Sequence, residues 1–286
     1  MSLLGLEDKQ WIWLATTVFA STFFLGTYSA VKLRRKTGRP YILSLVTFGW
    51  ILQTIGLYAR GLEYGSCPLG NPYELVQFMV WSSIAIYIFT GPAFRVSLLG
   101  VFTSGLACVL SILSLAVADW DSPSREPIFG DSPWIETHAA LALFSYGVFG
   151  VLALTSSMYL LQSRNLRSKK IVGGLFQFLP SIVDLQTINR RLLLMGFLIL
   201  SISLGIGYAY FAQDTRSVIT AKLTTTVIVW FAYGVIYILR SKKKLSSKQF
   251  SWTCIVVFVA ALLSLDAVNR SQNSRPDKPV SLQQAS

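Results

Sequence analysis

His138 is the only histidine in a chain of 286 residues. It closes the run Trp134-Ile135-Glu136-Thr137-His138, at the mouth of a long apolar segment. An imidazole can ligate a haem iron or exchange a proton near neutral pH, so this position is the first candidate for metal or proton chemistry. The other candidates are charges bordering or entering apolar stretches: Arg60, Glu74, Lys222 and Asp266. Charge at membrane depth is expensive and marks a functional or paired site. Two readings stay open for each of them. Residues at span ends can rest among lipid headgroups, and Lys222 can snorkel outward or pair with Asp266. Trp11, Trp13, Trp134 and Trp252 fall near expected interfaces, where an aromatic belt accounts for them.

The elements that position these residues are membrane helices. Apolar residues make up 53% of the chain and charged residues 13%, against about 25% charge in a soluble domain. Eight apolar runs approach the roughly 20 residues that cross a bilayer core. They predict spans near 11–31, 40–59, 73–89, 96–118, 138–161, 191–211, 217–239 and 252–269. The expected fold is therefore an all-α polytopic membrane protein of about eight transmembrane helices. Residues 1–270 form one membrane domain, and the polar tail 271–286 is expected to be disordered. Pro92 predicts a tight turn after the third span, and residues 60–72 an outer loop. Residues 181–190 predict a separate interfacial helix capped by Ser181.

The basic residues set the orientation. Lys32, Arg34, Arg35, Lys36 and Arg39 lie between spans 1 and 2, and Arg95 between 3 and 4. Arg164, Arg167, Lys169, Lys170, Arg190 and Arg191 lie between 5 and 6. Arg240, Lys242, Lys243, Lys244 and Lys248 lie between 7 and 8. By the positive-inside rule these loops are cytoplasmic, or stromal in a plastid, and both termini lie outside. The net charge of +12 is thus explained by topology, and no aromatic-basic surface points to nucleic acid. Cys67, Cys108 and Cys254 form no CxxC, so neither a thioredoxin-like centre nor covalent haem attachment is indicated. Phosphate loops, HExxH and GxSxG are absent from the sequence. No constellation demands intrinsic catalysis.

Several segments, in order, resemble the cytochrome c assembly family, which includes CcsA, CcmC and the shorter HemX-like proteins. The first is Arg60…Cys67-Pro68-Leu69-Gly70-Asn71-Pro72-Tyr73-Glu74. The second is Trp134…His138 followed by Ser145-Tyr146, similar to the family's outer-histidine segment. The third is Leu179-Pro180…Asp184-Leu185…Arg191…Gly196…Leu200…Gly205. Lys222, Trp230 and Tyr233 keep the spacing of a later helix. The resemblance runs from about residue 40 to 265, and length favours the HemX-like branch. It implies haem handling at the outer membrane face, with a tryptophan-rich loop cradling the porphyrin and flanking histidines on the iron. The corresponding segment here, Asp214 to Lys222, contains no tryptophan, and a second outer histidine is missing. A bis-histidine site within one chain is excluded.

Two functional readings follow. In the first, the protein binds or presents haem b transiently, with His138 as axial ligand and Arg60 or Lys222 near the propionates. Glu74, Tyr73 and Trp230 shape the pocket. In the second, it is an accessory scaffold for cytochrome c maturation or tetrapyrrole-synthesis proteins, docked through its basic inner loops. A bacterial inner membrane and a thylakoid both suit the charge pattern.

Overall fold

A computed structural model describes residues 5–32, 38–65, 67–94, 97–121, 133–167, 180–211 and 220–273. The side chains of residues 39, 92–94, 97, 167, 211, 220–223 and 265–273 lie outside that description. The described residues form eight long helices: α1 Asp8–Val31, α2 Arg39–Tyr64, α3 Pro72–Phe94, α4 Ser97–Ala116, α5 Pro133–Arg167, α6 Ile182–Phe211, α7 Thr220–Ser241 and α8 Ser247–Asn273. A single 3-10 turn, Ala118–Asp121, follows α4. Each of the eight contains a stretch long and apolar enough to cross a membrane. With no water in a bilayer core, the backbone must satisfy its own hydrogen bonds, and helices do so within one segment.

The helices run past the expected spans wherever a side chain or a neighbour supports another turn. α2 continues to Tyr64, so Arg60 is helical and only a short connector remains before α3. Gly65, at φ 62°, ends α2 in the left-handed conformation that glycine adopts without strain. α5 begins at Pro133, which places His138 in its second turn. The separate interfacial helix expected at 181–190 is instead the first part of α6. Ser181 does cap it, its Oγ accepting from the Asp184 N–H at 3.1 Å. The helix continues unbroken because Leu185, Ile188 and Asn189 are buried, the last donating to Ser156 of α5 at 3.3 Å. α3 likewise passes through Pro92 to Phe94, where a turn was expected.

α5 is the axis of the bundle. Two-thirds (67%) of its spanning window is buried, against 17% for α7 at the rim. It packs on α3, α4, α6 and α8, while α1 packs on α2 and α4. Ser83 of α3 donates to the Gly147 carbonyl of α5 at 3.0 Å. Phe149 of α5 stacks on Tyr233 of α7 with ring centroids 3.7 Å apart. In α2 and α3 a polar layer crosses the interior: Gln53 donates to the Gln77 side chain at 2.9 Å, and Gln77 to Ser114 of α4 at 2.7 Å. Burial of amides at this depth is tolerable only with such partners.

Candidate functional site at one end of the bundle

The starts of α1, α3 and α5 and the ends of α2, α4 and α6 gather at one end. Arg60 is its centre. It is 3% exposed, so a charged guanidinium there requires partners. Its Nε donates to Glu74 Oε1 at 2.6 Å and its Nη1 to Asp8 Oδ2 at 2.6 Å, while its Nη2 meets Asp121 Oδ1. The planar fork, with its rigidly arranged donors, suits this three-way contact in a way that a lysine could not match. Lys9 reaches the other oxygen of Asp121 at 2.5 Å. Burial pushes the Asp121 carboxyl up, but Lys9 and Arg60 outweigh it and hold it below the usual carboxylate range.

Local sequence explains how Glu74 arrives there fully buried. Asn71 caps α3, its Oδ1 accepting from the Glu74 N–H at 2.9 Å, with Pro72 in the position that needs no donor. Asn71 Nδ2 also donates to Asp121 at 3.1 Å. The second Glu74 oxygen accepts from the Gly70 N–H at 2.6 Å. The Tyr73 ring lies 4.9 Å from the guanidinium carbon and the Tyr64 ring 5.3 Å, within cation–π range. On the α1 side, Gly56 permits the approach: a Cβ there would stand 3.1 Å from the Asp8 carbonyl and 2.8 Å from Ile12. In the connector, the Cys67 N–H faces Glu136 of α5 at 3.4 Å. Burial first, then Glu136 and Glu74, push the Cys67 thiol up to about 11.

His138 sits at the same end, on α5 against α6. Its Nδ1 is 2.7 Å from the Ser203 carbonyl, which can only accept, so Nδ1 carries the proton. The neutral imidazole then has its lone pair on Nε2. Ser203, fully buried, returns the contact by donating its hydroxyl to the His138 carbonyl at 2.7 Å. Gly207, one turn on, lies flat against the ring: a Cβ would stand 2.7 Å from His138 Cε1. At the same end, Trp134, Ile202, Gly205, Ile206, Ala209 and Tyr210 line a cleft of about 540 Å3. Trp134 precedes His138 by one helical turn and lies on the same face of α5.

The sequence candidates therefore divide. Arg60 and Glu74 are joined directly, and His138 belongs to a neighbouring mount at the same end. Trp230 of α7 donates to Ser201 at 2.8 Å and stacks on Phe197 at 5.6 Å. Ser201 and Ser203 are two residues apart, about 200° around the helix, so Trp230 and His138 occupy opposite sides of α6. Lys222 lies in the first turn of α7 and Asp266 in α8, but both side chains lie outside the described residues, and so does their expected pairing. Asp8 and Asp121 as partners of Arg60, and Lys9 as the second cation on Asp121, are not legible in the spacing, although a buried arginine demands carboxylates from somewhere. Ser203 and Gly207 carried no signal in spacing. No group of three metal-ligating side chains occurs among the described residues, which leaves His138 as the donor to consider.

A family model described as cytochrome c assembly protein matches residues 69–272. The chain belongs to the cytochrome c assembly protein family. It is similar to the protein HemX of Brevibacillus brevis, 24% identical over 91% of this chain and 95% of that one. The protein HemX of Bacillus subtilis is 26% identical, over 88% and 93%. The cytochrome c biogenesis protein CcsA of a Synechococcus species is 25% identical, over 78% of this chain and 79% of its own.

Proposed function

We propose that this protein handles haem at one membrane surface during cytochrome c biogenesis, with His138 as the axial ligand. The observation that carries the reading is the mount of the imidazole. Metal-ligating histidines characteristically donate their second ring N–H to a carbonyl or carboxylate, which fixes the tautomer and raises the basicity of the ligating nitrogen. The Ser203 carbonyl does this for His138, and the donor set fits an imidazole-ligated iron. Family membership and the biogenesis proteins among its relatives support the same reading.

When bound, haem b supplies an iron centre that accepts a nitrogen lone pair. Around it, this chain's residues have separate tasks. Ser203 and Gly207 hold the ring of His138 in one orientation. Arg60 has its fork committed to three carboxylates, so its task is to hold the ends of α1–α4 together, with Glu74 as its buried partner. For the propionates we propose Lys222, whose backbone lies in the first turn of α7. Trp230 braces α7 on α6. Lys32, Arg164, Arg190, Arg191, Lys242 and Lys244 belong to the opposite end, so the His138 end faces outward, in a bacterial plasma membrane or its thylakoid equivalent. Cytochrome maturation proteins are the partners this placement serves.

The test is the absorption spectrum of detergent-purified protein, oxidised and reduced, beside His138→Ala. A Soret band in the parent that is lost or shifted in the variant supports the reading. Folded protein that takes up no haem in either form, even when haem is supplied, removes it and leaves the scaffold role for maturation or tetrapyrrole-synthesis proteins.

A further inference from the structure

We infer that α5, α7 and α8 enclose a site for a bound water molecule at mid-membrane, built on the hydroxyls of Tyr146 and Tyr233. The site is independent of the haem reading and shares no residue with it. Tyr233 is 0% exposed and Tyr146 3%. The Tyr233 hydroxyl has no hydrogen-bond partner among the described residues, and that of Tyr146 has Thr226 of α7 beside it but outside bonding geometry. At 1.5 Å per residue, Tyr233 lies about 12 Å from the basic end of α7, and Cys254 lies about 11 Å from the same end of α8. Both positions fall inside a hydrocarbon core roughly 30 Å thick. Bulk water does not reach a hydroxyl there, and an unbonded one is costly.

The surroundings select the guest. Tyr146 precedes Phe149 by three residues, so the two share a side of α5, and Phe149 stacks on the Tyr233 ring at 3.7 Å. The two phenols lie within electrostatic reach of each other, and the fully buried Cys254 thiol of α8 is in reach of Tyr233. Because Phe149 covers one face of the Tyr233 ring, a guest meets the phenol at its hydroxyl edge and must be small. The electrostatic neighbours of Tyr233 are a phenol and a thiol, both neutral near pH 7, which favours a neutral guest over an ion. A phenol both donates and accepts, and water matches it in both roles. Buried waters characteristically bridge polar groups that the protein leaves unsatisfied. An acyl chain would leave both hydroxyls unbonded. The bridge also has a consequence for the rim: it fastens α7, with 17% of its spanning window buried, to α5.

The experiment is a double-mutant cycle on the full chain in detergent, read by thermal midpoint. Tyr146→Phe and Tyr233→Phe each remove one hydroxyl and keep the ring. If one water bridges the pair, each single variant breaks the same bridge. Both midpoints then fall, and the double variant falls by clearly less than the sum of the two. If the hydroxyls are buried dry, removing them relieves a cost, and the midpoints hold or rise. That result overturns the inference. So do two falls that simply add, since each hydroxyl then loses a contact of its own. If either variant does not fold, hydrogen exchange of the parent in D2O decides. The infrared S–H stretch of Cys254, assigned by its loss in Cys254→Ala, should shift before the core amides exchange, because water is already at hand. A thiol that exchanges no faster than those amides overturns the site.

Discussion

Ser203 and His138 hold each other twice, the imidazole Nδ1 donating to the serine carbonyl and the serine hydroxyl to the histidine carbonyl, both at 2.7 Å. The double contact fixes the ring and the backbone of α5 at one height on α6. Ser203→Ala removes only the hydroxyl contact and should cost about 1 kcal/mol, read as a small drop in thermal midpoint. The carbonyl contact survives, so a haem spectrum matching the parent is expected. A spectrum like that of His138→Ala would mean that the hydroxyl itself sets the ligand.

Gly207→Ala places a methyl group 2.7–2.8 Å from His138 Cε1 and Nδ1. The ring cannot keep both its position and its bond to Ser203. The expected outcome is a loss of about 1–3 kcal/mol in stability, typical of overpacking, together with a shifted Soret band. An unaltered spectrum and midpoint would show that the ring yields freely.

Arg60→Met leaves Asp8, Glu74 and Asp121 facing one another without their shared cation. Removing one member of a buried ion network costs about 3–5 kcal/mol, so a large fall in the unfolding midpoint is expected. Arg60→Lys should restore little, because the three N–H donors of an ammonium radiate from a single nitrogen and cannot span three carboxylates that each meet a different nitrogen of the guanidinium. Near-complete rescue by lysine would reduce the fork to a simple point charge.

Asp121 makes the stability of this end depend on acid. Its carboxyl titrates lower in the fold than in the unfolded chain, so the unfolded state takes up protons first as pH falls. The stabilisation is fully present above the unfolded value of about 3.9 and is lost as pH drops through the lower folded value. Thermal midpoints measured from pH 6 downward should fall more steeply for the parent than for Asp121→Asn. Parallel curves would remove Asp121 from the account.

Cys67 should resist alkylation near neutrality, since its thiol is pushed up to about 11 and the thiolate is the reactive form. Iodoacetamide labelling of native protein is expected to be slow at pH 8 and to accelerate above pH 10, with Glu136→Gln labelling faster than the parent. Rapid labelling at pH 8 in folded protein would contradict the burial that keeps the thiol protonated.

The eight crossings were legible because hydropathy is a local property, and each apolar run announces its own helix. Helix ends were less legible because neighbours decide them: α6 begins at Ile182 only because Asn189 and its apolar companions have α5 to pack on. The candidate site divided along the same line. His138, Arg60 and Glu74 stood out by residue type and depth. Their partners did not, since Asp8 and Asp121 lie 52 and 61 residues from Arg60, and Ser203 lies 65 from His138. Only the folded bundle supplies those pairings. Asp8 carries no such mark in the sequence, yet in the fold it is one of the three carboxylates on Arg60.

The three carboxylates on Arg60 also make the first four helices one unit, closed by a residue that follows the fourth. Asp8 emerges at the start of the first helix, Arg60 at the end of the second and Glu74 at the start of the third, but Asp121 only after the fourth has crossed. Until then the guanidinium lacks its last acceptor and Lys9 its only described ion-pair partner. The rim of the first four crossings is therefore fastened by residues 8–121 alone, all of which precede the histidine-bearing helix in the chain.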